Sequence, residues 1–186
     1  LGLDQQQVAV SGDAGVLVGR WRRAGGEVVG DGRVLRGREG AAGEAAPSFR
    51  ATTHEGSAVE SDGGARSRVL VLYFYPRDET PGCTREACSF RDAFSAYSEA
   101  GADVVGVSTD SAEAHRGFAQ HHRLPFGLIA DTDGRLAGAF GVPVSSGYTA
   151  RTTVVIGRDG RVARVFPNVR VDGHSDEVLA AVRAAR

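Results

Sequence analysis

Methionine and lysine are absent from this chain of 186 residues, and cysteine and tryptophan are scarce, with two cysteines and one tryptophan. All 22 basic side chains are therefore arginines, and they are scattered along the sequence. The formal net charge is −1 at pH 7. Without a strong positive charge, neither nucleic acid nor an anionic membrane surface is expected among the partners.

Long hydrophobic runs are also missing. No stretch approaches the roughly 20 apolar residues that span a bilayer, and the first residues lack the basic-then-apolar order of a secretory signal. Two cysteines are too few for the disulfide framework of a small secreted domain. We therefore expect a cytoplasmic protein in which Cys83 and Cys88 serve redox chemistry rather than architecture.

Metal and cofactor chemistry is not expected either. Two cysteines without a histidine at a suitable spacing do not make a zinc ligand set. His115, His121 and His122 are interpreted as solvated residues of a helix, and Asp131 and Asp133 as turn residues rather than a carboxylate pair.

The chain divides into two parts of different composition. Residues 1–46 hold 11 glycines and no proline. They either form a flexible Gly/Arg-rich extension that buries too little apolar surface to order itself, or pair as small hairpins with Gly30-Asp31-Gly32 as a turn. We expect residues 1–42 to be a flexible or weakly ordered extension and residues 43–186 to be one folded domain.

Regular elements are predicted after Pro47. Val69–Tyr75 is a continuous apolar run typical of a buried central strand, and Asp103–Ser108 predicts a second one. Further predicted elements are a helix over 111–122, a strand over 126–130, a turn over 131–134, a hairpin of strands over 152–156 and 162–166, and a helix over 175–185. This order predicts an α/β fold with a central mixed β-sheet flanked by helices, as in a thioredoxin-like sandwich.

A cysteine lies where the first buried strand gives way to a helix. Thr80 is a candidate cap and Pro81 suits a first turn, and an apolar stripe follows at helical spacing, namely Cys83, Ala87, Phe90, Phe94 and Tyr97. The free N–H groups and partial positive charge of a first turn favour a thiolate. Lowering a thiol pKa from ~8.5 to ~6 takes about 3.4 kcal/mol, whereas a helix terminus supplies at best ~2 kcal/mol, so a nearby cation is required.

Catalysis by such a thiolate also needs groups that hold a substrate. Gly82 lets backbone N–H groups approach a small ligand closely, and Thr80 offers a hydroxyl. A thiol at a helix start is not specific by itself, and an inert buried cysteine is the alternative.

The surrounding string is more specific. Tyr73–Pro76, Thr80–Thr84 and Glu86–Asp92 together resemble the active-site segment of the peroxiredoxin family, and the spacing of the two cysteines is similar to its peroxiredoxin Q (bacterioferritin comigratory protein) subgroup. The resemblance covers about residues 43–185. It includes Gly43–Phe49, although Ser48 stands where aspartate is usual, and also Val104–Ser108 and Arg151–Ile156.

The resemblance implies a role for each matching residue. Cys83 is the peroxidatic nucleophile, which becomes a sulfenic acid, and Thr80 accepts a hydrogen bond from the thiol side and positions the peroxide. Arg151 is the missing cation, which favours the thiolate and polarises the O–O bond. Pro76 shields the pocket from water, and Glu86 orients an arginine.

The resemblance also implies the rest of the cycle. Cys88 is the resolving thiol, which forms a disulfide with Cys83 that thioredoxin or a similar dithiol reduces. The substrates are hydrogen peroxide and organic hydroperoxides, the role is antioxidant defence and redox homeostasis, and internal resolution implies a monomer. On one regular helix, however, the two cysteines would be separated by about 7.5 Å of rise and ~140° of rotation, so we expect the first turns of this helix to unwind during catalysis.

Other functions stay open at this point. Cys88 could be an ordinary helix cysteine, which would leave a one-cysteine peroxidase resolved by an external thiol. A glutathione-peroxidase-like enzyme is disfavoured because the site of that family contains a tryptophan. The only tryptophan in this chain, Trp21, lies outside the core domain. A redox sensor would oxidise Cys83 once and stall, and a thioredoxin-fold binding module would consume no peroxide. A thioredoxin-type oxidoreductase would need two cysteines two residues apart, a spacing that this chain lacks.

Overall fold

A small antiparallel sheet lies at the N-terminal side of the fold. The computed structural model describes residues 21–22, 28–30, 34–35, 41–61 and 65–185. The sheet consists of four strands in sequence order, β1 (Trp21–Arg22), β2 (Val28–Gly30), β3 (Phe49–Thr52) and β4 (Ala58–Ser61). The predicted turn at Gly30-Asp31-Gly32 lies outside the described residues except for Gly30, which ends β2.

The longest apolar run of the sequence forms the centre of a second, five-stranded sheet. Every residue of β5 (Val69–Phe74) is buried, as predicted. Its parallel neighbours are β6 (Ala102–Ser108) and then β7 (Leu128–Ala130), which begins two residues later than predicted. A two-stranded ribbon comes next in the chain, formed by β8 (Val144–Ser145) and β9 (Tyr148–Thr149). On the other side of β5 lie the antiparallel strands β10 (Thr152–Ile156) and then β11 (Val162–Phe166).

Helices cover both faces of this sheet, which confirms the predicted mixed α/β architecture. They are α1 (Pro81–Asp92), α2 (Phe94–Glu99), α3 (Ala112–His122), α4 (Arg135–Ala139) and α5 (His174–Ala184). Val69, Val71 and Tyr73 of β5 pack in one core with residues of α1, α2, α3 and α5. Leu70, Leu72 and Phe74 pack in the other core with residues of α4 and β3, because successive side chains of a strand point to opposite faces. Within the described parts of the chain, no helix has the length and apolar character needed to cross a membrane.

The apolar stripe predicted as one helix is divided between two. The backbone of Ala93 has φ −92° and ψ 3°, which ends α1 and starts α2 at the next residue. Tyr97 nevertheless stays on the buried face, and its N–H donates to the carbonyl of Ala93 (3.1 Å). The spacing of three and four residues between buried side chains therefore continues across the bend between α1 and α2. The residue types at this point do not indicate the bend.

The end of the five-stranded sheet at which β5 finishes brings distant segments together. Because β5 and β10 are antiparallel, with Phe74 opposite Thr152, the end of β5 lies beside the start of β10. The loop and helix that follow β5 therefore begin next to Arg151, the residue before β10. This end of the sheet holds the candidate site.

Candidate active site

Cys83 lies in the first turn of α1, as predicted. Thr80 is the N-cap, with extended backbone angles (φ −78°, ψ 147°), and Pro81 follows at the first helical position. The cysteine is only 1% exposed, and it shares the buried face with Ala87 and Phe90. The sulfur is therefore almost completely shielded from water, and it lies in the helical turn whose backbone N–H groups are free.

The cation that the sequence analysis requires is Arg151. Its Nη2 lies 3.4 Å from the Sγ of Cys83, although 68 residues separate the two in sequence. Its Nη1 donates to Oε2 of Glu86, one turn further along α1. One guanidinium thus contacts both a sulfur and a carboxylate on the same face of the helix.

Glycine at position 82 leaves room for this contact. A Cβ on Gly82 would lie 3.2 Å from Nη2 of Arg151, so the guanidinium would have to move by a few tenths of an ångström. From the sequence, the missing side chain is expected to let a small ligand approach the backbone closely. The structure adds that it admits the guanidinium to the first turn of the helix.

Burial and charge oppose each other at Glu86. Its side chain is wholly buried, and burial raises its pKa to about 7 although the neighbouring Arg151 lowers it. Burial alone would lower the pKa of Arg151, but the charges of Glu86 and Cys83 raise it above its ordinary value. Arg151 is therefore a cation at neutral pH, whereas Glu86 holds its proton far more readily than an ordinary carboxyl.

A buried histidine near Arg151 does not add a positive charge to the site. His174 lies nearby with its Nε2 2.8 Å from the hydroxyl of Thr153. Burial, and then the charge of Arg151, lower the pKa of His174 to about 4. This imidazole is thus neutral at physiological pH, and Arg151 is the cation at the sulfur.

The remaining sequence-predicted residues surround this centre. The hydroxyl of Thr80 donates to the carbonyl of Arg77 (2.9 Å) rather than accepting from a helix N–H, so Thr80 stands at the cap position without a side-chain cap. Pro76 is half-buried at the end of β5. Cys88 is half-buried on the same helix as Cys83, and both are free thiols.

One buried network was missed by the sequence analysis. His115 is completely buried, so its interpretation as a solvated residue is wrong. Its Nδ1 lies 2.8 Å from Oδ2 of Asp78, and its Nε2 lies 3.1 Å from the carbonyl of Ile129. The hydroxyl of Tyr75 donates to the other oxygen of Asp78 (2.6 Å). Both ring nitrogens thus lie within hydrogen-bond distance of oxygen atoms, and the network joins Tyr75, Asp78 and α3 in the buried interior.

This network holds the loop between β5 and α1. The backbone N–H of Asp78 also donates to Oδ2 of Asp110 (2.9 Å), which anchors the loop to the residues after β6. A signal for the burial of His115 was present, since it precedes Phe118 and Ala119 at helical spacings of three and four residues, and both are buried. His121 is exposed, as predicted, and His122 is half-buried.

Fold and site together define a class of protein. A buried cysteine at a helix start, at the edge of a thioredoxin-like sheet and in contact with an arginine, is the site of a peroxidase that works through a thiol. Comparison with known proteins agrees. Residues 42–165 match the model of the AhpC/TSA family.

The chain belongs to the AhpC/TSA family, and its relatives are peroxiredoxins of the Q type. It is 42% identical over 144 residues to a putative peroxiredoxin bcp of Coxiella burnetii, which covers 74% of this chain and 95% of the relative. It is 38% identical to the chloroplastic peroxiredoxin Q of Arabidopsis thaliana, covering 77% and 67%.

Solved structures give the same likeness. The peroxidoxin BcpB of Mycobacterium tuberculosis superposes with a TM-score of 0.71 at 35% identity, covering 78% of this chain and 98% of that one. A bacterioferritin comigratory protein of Xanthomonas campestris, whose structures concern alkyl peroxide reduction, superposes with a TM-score of 0.67 at 34% identity, covering 73% and 90%. The thioredoxin-like fold and the family predicted from the sequence are thus confirmed.

Proposed function

We propose that this peroxiredoxin reduces hydrogen peroxide and organic hydroperoxides with Cys83 as the nucleophile. The observation that carries the proposal is the 3.4 Å contact between the guanidinium of Arg151 and the buried sulfur. A thiolate is the reactive form of cysteine, and a fixed cation in a water-poor site favours it. The relationship to the Xanthomonas protein supports alkyl hydroperoxides as one substrate class.

The first half-reaction is an oxygen transfer. The Cys83 thiolate attacks one peroxide oxygen, the O–O bond breaks, and the sulfur becomes a sulfenic acid while the peroxide is reduced to water or an alcohol. Negative charge moves from sulfur to the leaving oxygen, which then takes up a proton. Arg151 stabilises this charge at both ends of the transfer. Gly82 leaves room for the peroxide at the first turn, Thr80 positions it, and Pro76 shields it from water.

Glu86 acts through the arginine. Its contact with Nη1 holds the guanidinium plane so that Nη2 faces the sulfur. A buried carboxylate with a pKa of about 7 neutralises Arg151 only in part at neutral pH. Glu86 is therefore a positioning residue whose ionisation also tunes the positive charge beside Cys83.

The second half-reaction is resolution by Cys88. Its thiol attacks the sulfenic acid, a disulfide forms, and water leaves. Because both cysteines lie on α1, their Cα atoms are separated by about 8.6 Å in regular helical geometry, beyond the ~7 Å limit of a disulfide. The first turns of α1 must therefore unwind before the bond closes.

The remaining parts of the proposal concern the cellular context. Thioredoxin or a similar dithiol reduces the disulfide, and the protein works in the cytoplasm as an antioxidant enzyme. Internal resolution needs no second subunit, so a monomer suffices. Residues 1–42 form an extension of the catalytic domain, which comprises residues 43–186.

Peroxide consumption coupled to NADPH oxidation through thioredoxin and its reductase tests the proposal. The wild type should turn over continuously, and Cys83→Ser should be inactive. Cys88→Ser should oxidise as fast as the wild type in the first turnover and then stop. Unchanged activity of Cys83→Ser would overturn the proposal, and arrest of the wild type after one turnover would favour a redox sensor.

Amide hydrogen exchange tests the unwinding of α1. Amides from Thr84 to Cys88 lie in an intact helix in the reduced protein, and we expect them to exchange faster once the disulfide has formed. Amides of α5, which does not have to change, provide the internal reference. Equally slow exchange from Thr84 to Cys88 in both states would contradict the resolution step.

A further inference from the structure

Two histidines and a glutamate converge beside the loop that precedes the catalytic helix. Nδ1 of His121 lies 2.9 Å from Oε1 of Glu79, and Nε2 of His122 lies 3.0 Å from Oε2 of the same carboxylate. One nitrogen from each histidine and one oxygen of Glu79 all lie within 4.8 Å of one another. The spacing of residues along the chain gives no sign of this group, because Glu79 is 42 residues from His121.

Both segments that carry these side chains have defined backbone positions. Glu79 has a positive φ of 61°, an uncommon conformation for a residue other than glycine. Both histidines lie in the last turn of α3, which ends where Arg123 adopts left-handed angles. Nη1 of Arg91 donates to the carbonyl of His122 (2.8 Å), which attaches this turn to α1.

The donor set suits a divalent transition metal. Imidazole nitrogens and a carboxylate are ligands of Zn²⁺ and related ions, with bonds of about 2.0–2.2 Å. Neighbouring donors around a tetrahedral zinc ion are then about 3.3 Å apart. Each imidazole nitrogen lies 2.9 or 3.0 Å from a different oxygen of Glu79. The three donor atoms, within 4.8 Å of one another, therefore reach this spacing by small rotations of the side chains. Glu79 and His121 are exposed, so an ion can enter and a further coordination position faces water.

We propose that Glu79, His121 and His122 form a surface site for Zn²⁺ or a similar borderline divalent ion. The ion replaces the protons by which the two imidazoles now contact the carboxylate. It thereby joins the loop before α1 to the end of α3 through coordination bonds. This differs from the sequence-based expectation of no metal site, because that expectation considered only the spacing of residues along the chain.

The position of the site gives the ion a second effect, which rests on the proposed function. Glu79 immediately precedes Thr80, the N-cap of α1, and Arg91 of the same helix holds the last turn of α3. A bound ion therefore restrains the segment that must unwind before Cys83 and Cys88 can join. Zinc should slow disulfide formation without slowing the oxidation of Cys83.

Calorimetric titration of the reduced, tag-free protein with Zn²⁺ tests the site. We expect one ion per chain, at least about tenfold weaker binding in Glu79→Gln and in His121→Ala, and no binding of Mg²⁺, which prefers oxygen ligands. Glu113→Gln removes an exposed charge from the same helix and should bind zinc like the wild type. Equal affinity in all variants, or an equal loss in Glu113→Gln, would overturn the proposal.

Thiols are the competing zinc ligands, so a Cys83→Ser/Cys88→Ser double variant completes the test. It should keep the site, and loss of binding would assign the ion to the cysteines instead. Co²⁺ should give a visible absorption spectrum without a thiolate charge-transfer band. For the effect on resolution, saturating Zn²⁺ should slow disulfide formation severalfold in the wild type and not in His121→Ala. An equal rate with and without zinc in the wild type would refute this second effect while leaving the binding result intact.

Discussion

Replacing Arg151 by glutamine tests the electrostatic basis of the site most directly. Two unit charges 3.4 Å apart, the distance between Nη2 and the Cys83 sulfur, interact by about 5 kcal/mol at an effective dielectric constant of about 20. The Glu86 carboxylate, which contacts the same guanidinium and has a pKa of about 7, cancels part of this. A remainder of about 3 kcal/mol matches the typical cost of losing one charge-stabilising donor. We therefore expect oxidation of Cys83 to slow by about 100-fold.

The assay is the second-order rate of Cys83 oxidation by hydrogen peroxide, followed by stopped flow in a single turnover. Arg85→Gln is the matched control, because Arg85 is an exposed residue on the same helix, two positions from Cys83. Its charge is screened by solvent, so its removal should change the rate by less than about threefold.

Removal of Arg151 also leaves Glu86 buried without its partner, which could destabilise the fold. The double variant Arg151→Gln/Glu86→Gln separates the two effects, because it removes the buried charge together with the cation. Its stability should recover while its oxidation rate stays low. A folded Arg151→Gln protein that reacts within about threefold of the wild type would refute the electrostatic reasoning.

The remaining predictions concern stability and the first turn of α1. The pKa of Glu86 is about 7 in the folded protein, whereas the ordinary value is 4.5. Below pH 4.5 the carboxyl is neutral in the folded and the unfolded protein, so its ionisation does not affect stability. As the pH rises from 4.5 towards 7, ionisation favours the unfolded protein increasingly. In urea unfolding, the free energy of unfolding of Glu86→Gln should therefore rise relative to that of the wild type by up to about 3 kcal/mol between pH 4.5 and 7. A difference between the two proteins that does not change with pH would contradict the assignment of a buried carboxyl. His115→Ala removes one of the two side-chain partners of the buried Asp78 carboxylate and leaves only the Tyr75 hydroxyl, so it should lower the free energy of unfolding by about 2–3 kcal/mol, whereas a loss of less than about 1 kcal/mol would show that the contact does not support the loop. Gly82→Ala should displace Arg151 by a few tenths of an ångström and slow peroxide oxidation about tenfold with little effect on the unfolding midpoint, and a wild-type rate would mean that the close contact is not needed.

Much of the fold follows from local patterns in the sequence. The fully apolar run of β5 and the hairpin of β10 and β11 have unambiguous signals, and both are confirmed. The break of the helix at Ala93 was missed, because alanine favours helix and nothing local requires a bend there. The later start of β7 at Leu128 is a boundary effect, since pairing with β6 decides where the strand begins.

The sequence by itself was enough to select Cys83 as the candidate reactive residue. The strand, loop and helix that present Cys83 are contiguous, so their residue types and spacing carry the whole signal. The resemblance of the same string to the peroxiredoxins supplied the arginine by position, but only the tertiary structure brings it to the sulfur. The antiparallel pairing of β5 with β10 does this, since it aligns residues far apart in the chain.

Charge, burial and convergence were decided by the tertiary structure alone. Burial in the folded protein raises the pKa of Glu86, although Arg151 from a distant segment lowers it. His115 is buried opposite Asp78, and His121 meets Glu79, because the loop after β5 folds back onto α3. The free energy of an ionisable group depends on its solvent exposure and on neighbours from other segments. Helical spacing gives a signal for the burial of His115, but it does not show which distant residues meet an ionisable group.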